Sequence, residues 1–171
     1  LSDNAIHSKP VTQEMKDIFI GGRGFGLKLL WDAVTGETRW DDPENEIVIS
    51  SGPIGGITQY PGTGKSIVVS LSPTTEVVID SNVGGYYGPY LKFAGWDAIE
   101  LQGIADKEVI VYVDGEQGVV QILEAPMDTV NTHLLTEELL ELFANPKKKN
   151  LVSSVTAGTG ADNTLIGCLN V

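Results

Sequence analysis

"SIVVSLSPTTEVVID" (66–80) holds two Val/Ile-rich runs on either side of a Ser-Pro step. Branched side chains suit the pleated surface of a sheet, and a Ser-Pro step initiates a turn, so the stretch reads as strand, turn, strand. Similar runs lie on both sides of it. "EIVISS" (46–51) precedes it, and "AIELQG" (98–103), "EVIVYV" (108–113) and "GVVQIL" (118–123) follow. "VDGEQG", between Val113 and Val119, has Asp114-Gly115 as a hairpin signal. "LVSSVT" (151–156) and "TLIGCL" (164–169) are predicted as two further strands.

Helices are fewer. "TQEMKDIFIG" (12–21) offers Thr12 as N-cap, Glu14 in the first turn and a closing Gly21. "GFGLKLLWDAV" (24–34) places Leu27, Leu30, Trp31 and Val34 on one expected face. "GPYLKFAG" (88–95) has Pro89 at its first position and Gly95 at its end. "TEELLELFAN" (136–145) is predicted to start at Thr136, with Leu139, Leu140 and Phe143 in a stripe. Strands and helices do not alternate, which disfavours a doubly wound parallel sheet. The expected class is α+β: a β-rich domain of two packed or similar, mostly antiparallel sheets with a few short helices. The strand-rich halves 47–103 and 108–169 suggest two similar sheets.

The chain has 171 residues, enough for one domain with its own core. Its 11 basic and 23 acidic side chains give a net charge of −12, with pI near 4.4. That balance disfavours nucleic acid, whose phosphates need basic partners, and disfavours anionic membrane surfaces. No apolar run approaches the roughly 18–20 residues that span a bilayer. Cys168 is the only cysteine, so this chain makes no internal disulfide and no cysteine cluster for zinc or iron–sulfur, in keeping with a reducing cytoplasm. Leu1 and Val171 do not read as natural termini, and a fragment of a longer protein is expected.

Chemistry-bearing side chains are sparse. His7 and His133 are isolated and no carboxylate pair stands out. Trp31, Trp40 and Trp96 read as core anchors. The run "PKKKN" (146–150) reads as basic residues at a helix end. Glycine, by contrast, is concentrated in motifs. "PGTGKS" (61–66) is not a phosphate loop, since the pattern requires glycine where Gln59 stands and a helix where a strand follows. What survives is a flexible loop beside Lys65, either a plain hairpin, which spacing alone favours, or an approach point for an anion. "GGRGFG" (21–26) follows an expected helix rather than a strand, and its third glycine falls one residue early for a dinucleotide fingerprint. It reads as a helix corner, or as an anion nest with Arg23. "SNVGGYYGPYLKFAGWD" (81–97) has two adjacent glycines and five aromatics, but no catalytic acid or thiol before Asp97. No residue of the chain is assigned a catalytic role. The inventory suits a surface for an anionic cofactor whose reactive centre is completed elsewhere.

In order along the chain, "GGRGFGLKLLWD" (21–32), "DPENEIVISSGPIGG" (42–56), "PGTGKSIVVSLSP" (61–73), "SNVGGYYGPYLKFAGWDAIELQGIA" (81–105) and "EVIVYVDG" (108–115) resemble the N-terminal domain of the tungsten-containing aldehyde ferredoxin oxidoreductase family. A weaker similarity runs through "TEELLELF" to "TAGTGADN" (156–163), so nearly the whole chain, 1–171, is covered as one domain. The resemblance implies a β-rich base carrying a tungsten ion held by two pterin dithiolenes, with a magnesium ion bridging the pterin phosphates. It implies that the backbone carbonyl of Asn82 helps hold the magnesium, with Gly84 and Gly85 against the pterin. Lys65 falls where the family has an arginine, and Arg23 lies in the same lining. Tyr90, Phe93 and Trp96 are expected to pack that segment onto the sheets.

The implied reaction oxidises aldehydes to carboxylic acids, with water supplying the oxygen. A [4Fe–4S] cluster, whose ligands are not in this chain, would pass electrons to ferredoxin. The remaining domains of the same enzyme are thus implied partners, and a homo-oligomer is compatible with the reading. Lys65 lacks the fork of arginine, and "TAGTGADN" is a poor version of the family's signature. A non-catalytic assembly module, or another low-potential reduction on the same base, are the alternatives.

Overall fold

The computed structural model of the chain describes residues 1–125, 131–145, 149–166, 169 and 171. Its centre is a sheet of β1 (Glu46–Ser51), β2 (Ser66–Leu71), β3 (Val78–Val83) and β4 (Ala98–Gln102), in the order β3-β2-β1-β4. Every pair is antiparallel, with Ser51 opposite Ser66, Ile67 opposite Asn82 and Ser50 opposite Ala98. A separate hairpin pairs β5 (Val109–Asp114) with β6 (Val119–Glu124). The α+β, β-rich class is what the chain adopts; its sheets have four and two strands rather than similar sizes.

The Ser-Pro turn works as its residues suggest. The Ser72 hydroxyl accepts from the Thr74 and Thr75 amides, both at 3.2 Å, and Ser72 N–H donates to the Val77 carbonyl at 2.9 Å. Glu76 takes a left-handed φ of 56° to close the turn. Strand β3 therefore begins at Val78, one residue after the apolar run starts at Val77, and continues through the polar Ser81-Asn82, which composition alone does not mark as strand. At the second hairpin Asp114 Oδ1 accepts from the Glu116 and Gln117 amides, a side-chain mimic of the turn.

One sheet face is covered by α2 (Arg23–Ala33), with α1 (Gln13–Phe19) beside it. Thr12 caps α1 by accepting from the Met15 amide at 3.1 Å. The core is Leu29, Leu30, Val48 and Val69, flanked by Met15, Val34, Ile67 and Ala98. The expected apolar face of α2 is half wrong: Leu27 and Trp31 point outward, Trp31 being 79% exposed. Gly26 explains this, because a Cβ there would lie 2.5 Å from Val69 Cγ2. The helix packs through its bare glycine, which turns the Phe25, Gly26, Leu29, Leu30 face inward and the tryptophan out. Trp40 and Trp96 are half-buried.

The opposite face carries α3 (Tyr87–Phe93), whose Gly88 approaches the Ser51 and Ser66 side chains. The α4 helix (Thr132–Phe143) starts a full turn before the predicted Thr136, because Asn131 caps it by accepting from the His133 amide at 2.8 Å. Phe143 of α4 stacks on Tyr112 of β5 at 4.8 Å between ring centres. Residues 151–156 do not form the predicted strand. A short 3-10 turn, Lys149–Leu151, leads into unpaired chain and a lone bridge at Thr156. Of the run predicted at 164–169, residues 167–168 lie outside the described residues, as do 146–148 of the basic run. Among the described residues no helix is long and apolar enough to cross a membrane.

Candidate functional site

Antiparallel pairing brings the end of β1, the start of β2, the end of β3 and the start of β4 to one end of the central sheet. The glycine motifs, separated by up to sixty-odd residues in sequence, are the connections at that end. Gly21 lies against Pro53, Ser51 and Gly52, and Gly22 against Gly52 and Ile67. Gly22 N–H donates to the Ser51 carbonyl at 3.0 Å, and the buried Ser50 hydroxyl donates to the Gly22 carbonyl at 2.7 Å. The N-terminus of α2 is thereby fastened to β1 by two bonds.

The connection 52–65 is tied to itself. Gly56 N–H donates to the Thr63 carbonyl at 2.9 Å, and the Thr63 hydroxyl reaches the Ile57 carbonyl at 2.9 Å. Lys65 closes this loop, is exposed, and makes no ion pair among the described residues. Its ammonium stands over Gly84: a Cβ on Gly84 would lie 3.4 Å from Lys65 Nζ. A Cβ on Gly64 would lie 3.6 Å from the Gly85 carbonyl oxygen. Gly64, from the β1–β2 connection, and Gly85, from the β3–α3 connection, thus face one another beside an ammonium that makes no ion pair among the described residues. Gly85 has φ +75°, and a Cβ there would meet Val171 Cγ1 at 2.7 Å, so this position requires glycine twice over. Asn82, opposite Ile67 on the exposed edge strand, stands at the rim of the same corner.

Four of the five residues singled out in the sequence, Lys65, Asn82, Gly84 and Gly85, therefore share one corner. Arg23 borders it, but its charge is already engaged. Its Nε and Nη2 donate to Asp80 Oδ2 at 2.8 and 2.6 Å. Asp80 was not apparent in the sequence, although it stands two residues before Asn82 and so on the same strand face.

The aromatics behave differently from expectation. Leu91, Gly88 and Pro89 are the residues of α3 that are buried, whereas Phe93 is 66% exposed and lies across Gly56. Tyr90 stacks on Tyr86 at 5.6 Å and donates its hydroxyl to the Asn150 carbonyl at 2.5 Å. Short helical spacing cannot seat all these rings on one side, and the small residues take the close approach instead. Lys92 and Asp97 pair at the end of α3. Burial pushes the Tyr87 phenol above its usual range.

The corner offers one ammonium, glycine backbone at Gly64, Gly84 and Gly85, the last with Val171 against it, and exposed oxygen-bearing side chains. Among the described residues no group of three His, Cys, Asp or Glu could hold a metal ion. Such a surface fits a flat, anionic, oxygen-rich group that brings its own metal, with a hard cation bound through oxygen.

Comparison with known proteins gives the same direction. Residues 1–169 match the family described as aldehyde ferredoxin oxidoreductase, N-terminal domain. A tungsten-containing aldehyde ferredoxin oxidoreductase of Pyrococcus horikoshii is 34% identical over 92% of this chain and 26% of its own length. An aliphatic sulfonate oxidoreductase, WOR-like subunit, of Pyrococcus furiosus is 33% identical over 68% of the chain and 19% of its own length. Among solved structures, the active-site complex BamBC of benzoyl coenzyme A reductase with 1,5-dienoyl-CoA superposes with a TM-score of 0.77 at 28% identity. That match covers 95% of this chain and 24% of the other. The chain spans about a quarter of the length of the first of these relatives. It belongs to the aldehyde ferredoxin oxidoreductase family of tungsten oxidoreductases, and corresponds to their N-terminal domain.

Proposed function

We propose that the glycine-lined corner seats a bis-pterin tungsten cofactor, as part of an oxidoreductase that converts aldehydes to carboxylic acids with ferredoxin as electron acceptor. The observation that carries the reading is that Gly64 faces Gly85 while Gly84 lies by the Lys65 ammonium, which makes no ion pair among the described residues. Lys65 offsets phosphate charge as a single point donor. The main-chain carbonyl of Asn82 would contribute an oxygen to a magnesium ion, a hard cation that keeps several waters and needs few protein ligands. Gly84 and Gly85, having no side chains, would let the backbone approach a pterin. Arg23 borders the site while paired with Asp80.

When bound, the tungsten centre supplies the two-electron redox chemistry that the side chains of this corner lack. This chain then does the work of seating and charge compensation. The [4Fe–4S] ligands, the acid–base groups and the ferredoxin contact belong to the remaining domains of the enzyme. A second reading keeps the seat and changes the substrate, and the names of the sulfonate and benzoyl coenzyme A relatives favour retaining it.

The full-length protein, expressed with tungstate, tests both parts. Elemental and pterin analysis is expected to find tungsten with about two pterins per metal ion, two being the number that defines a bis-pterin site. Finding neither tungsten nor molybdenum overturns the seat. Aldehyde-dependent reduction of a low-potential dye supports the first substrate class. A loaded protein inert to aldehydes but active on another substrate establishes the second.

A further inference from the structure

The Arg23–Asp80 pair joins two parts of the site that differ in how firmly they are held. The backbone at Arg23 is anchored in the interior: Gly22 is bonded to Ser51 and Ser50 of β1, and Gly26 is pressed on Val69. Strand β3 is the opposite case. It is the edge of the sheet, exposed from Val78 to Asn82, and its inner neighbour β2 is its strand partner among the described residues. Asp80 stands opposite Val69 and Asn82 opposite Ile67, so both carry side chains on the face that α2 covers. From the first position of α2, Arg23 reaches over β2 and places two N–H donors on one Asp80 oxygen.

We propose that Asp80 is a positioning residue for the cofactor seat, acting through Arg23 as a brace from the anchored end of α2 to the edge strand. The brace fixes β3 two residues before Asn82 and so sets the position of the Asn82–Gly85 corner relative to Lys65. It also keeps the Arg23 guanidinium off the anion site, leaving Lys65 as the cation there. Exposed ion pairs contribute little to global stability, so the effect of this one is local. The inference rests on the seat proposed above for its functional meaning, but not for its test.

The test is hydrogen exchange in the full-length protein purified without tungsten, comparing wild type with Asp80→Asn. The expected result is exchange about threefold faster through residues 80–85, with β1 amides and the unfolding midpoint unchanged, as for a local opening. Arg23→Lys keeps the charge and loses the second donor, and is expected to fall between the two. The exchanged pair Arg23→Asp with Asp80→Arg is expected to restore most of the protection. Unchanged exchange at 80–85 in Asp80→Asn and Arg23→Lys, or equal loosening of β1, overturns the brace. Because no cofactor is present, these outcomes are independent of whether the wild type binds tungsten. An empty wild type would sink the seat and leave the brace standing.

Discussion

The α2-covered centre of the sheet and its glycine-lined corner are built by opposite rules. At the centre, Leu30 is 1% exposed and Val48 and Val69 are fully buried, so side chains fill the space. At the corner glycines take the close approaches, and backbone hydrogen bonds among Gly22, Ser51, Gly56 and Thr63, with the Ser50 hydroxyl on the Gly22 carbonyl, hold the shape. Stability is concentrated in the first region, while the second presents backbone and the Lys65 ammonium, which makes no ion pair among the described residues, to whatever binds. Substitutions in the two regions are therefore expected to separate stability from binding.

The largest effect is expected at the centre. Leu30→Ala should lose about 2–5 kcal/mol by leaving a cavity under α2, read from urea denaturation. An effect under about 1 kcal/mol would mean that the core is not where the comparison puts it.

Next comes a pH effect from the rim of that same core. Glu46 is buried on β1, and its Oε2 has no hydrogen-bond partner among the described residues. Burial first, then the neighbouring Glu100 and Asp32, push its carboxyl up to about 7, with Lys9 acting in the other direction. Between about pH 4.5 and 7 the folded state keeps a proton that the unfolded chain releases. Its contribution to stability therefore falls as pH rises through that window and stays low above it, by up to roughly 3 kcal/mol. Denaturation midpoints at pH 5 and 8 should differ accordingly in wild type and much less in Glu46→Gln. Equal slopes in the two proteins would contradict the assignment.

Smaller effects belong to the corner. Gly85→Ala forces a Cβ into a left-handed position and onto Val171, and should cost about 1–2 kcal/mol. Gly84→Ala meets only the mobile end of Lys65, so its stability should stay within about 0.5 kcal/mol of wild type. Its bound tungsten should nonetheless fall, because the new methyl group would stand in the proposed cofactor seat. Unchanged tungsten content in Gly84→Ala would show that the corner is not the contact surface.

Much of this was legible in the sequence. The Ser-Pro and Asp-Gly turns announced both hairpins, and the strands of the central sheet follow from their branched runs. The ordered glycine motifs named the corner, even though each motif alone resembled an ordinary turn. What could not be read came from tertiary choices. Gly26 decides which face of α2 turns inward, so the outward Trp31 was invisible to a pattern that counts apolar residues. The polar half of β3 is strand because β2 pairs with it, not because Ser81 and Asn82 favour strand. Asp80 becomes meaningful only once α2 lies across the sheet and carries Arg23 to it.

The most direct measurement is hydrogen exchange of the full-length protein with tungsten and without it. The account predicts that loading protects residues 62–65 and 82–86 and leaves the outer face of α2, around Leu27 and Trp31, unchanged. Protection elsewhere with none at these two glycine connections would contradict it.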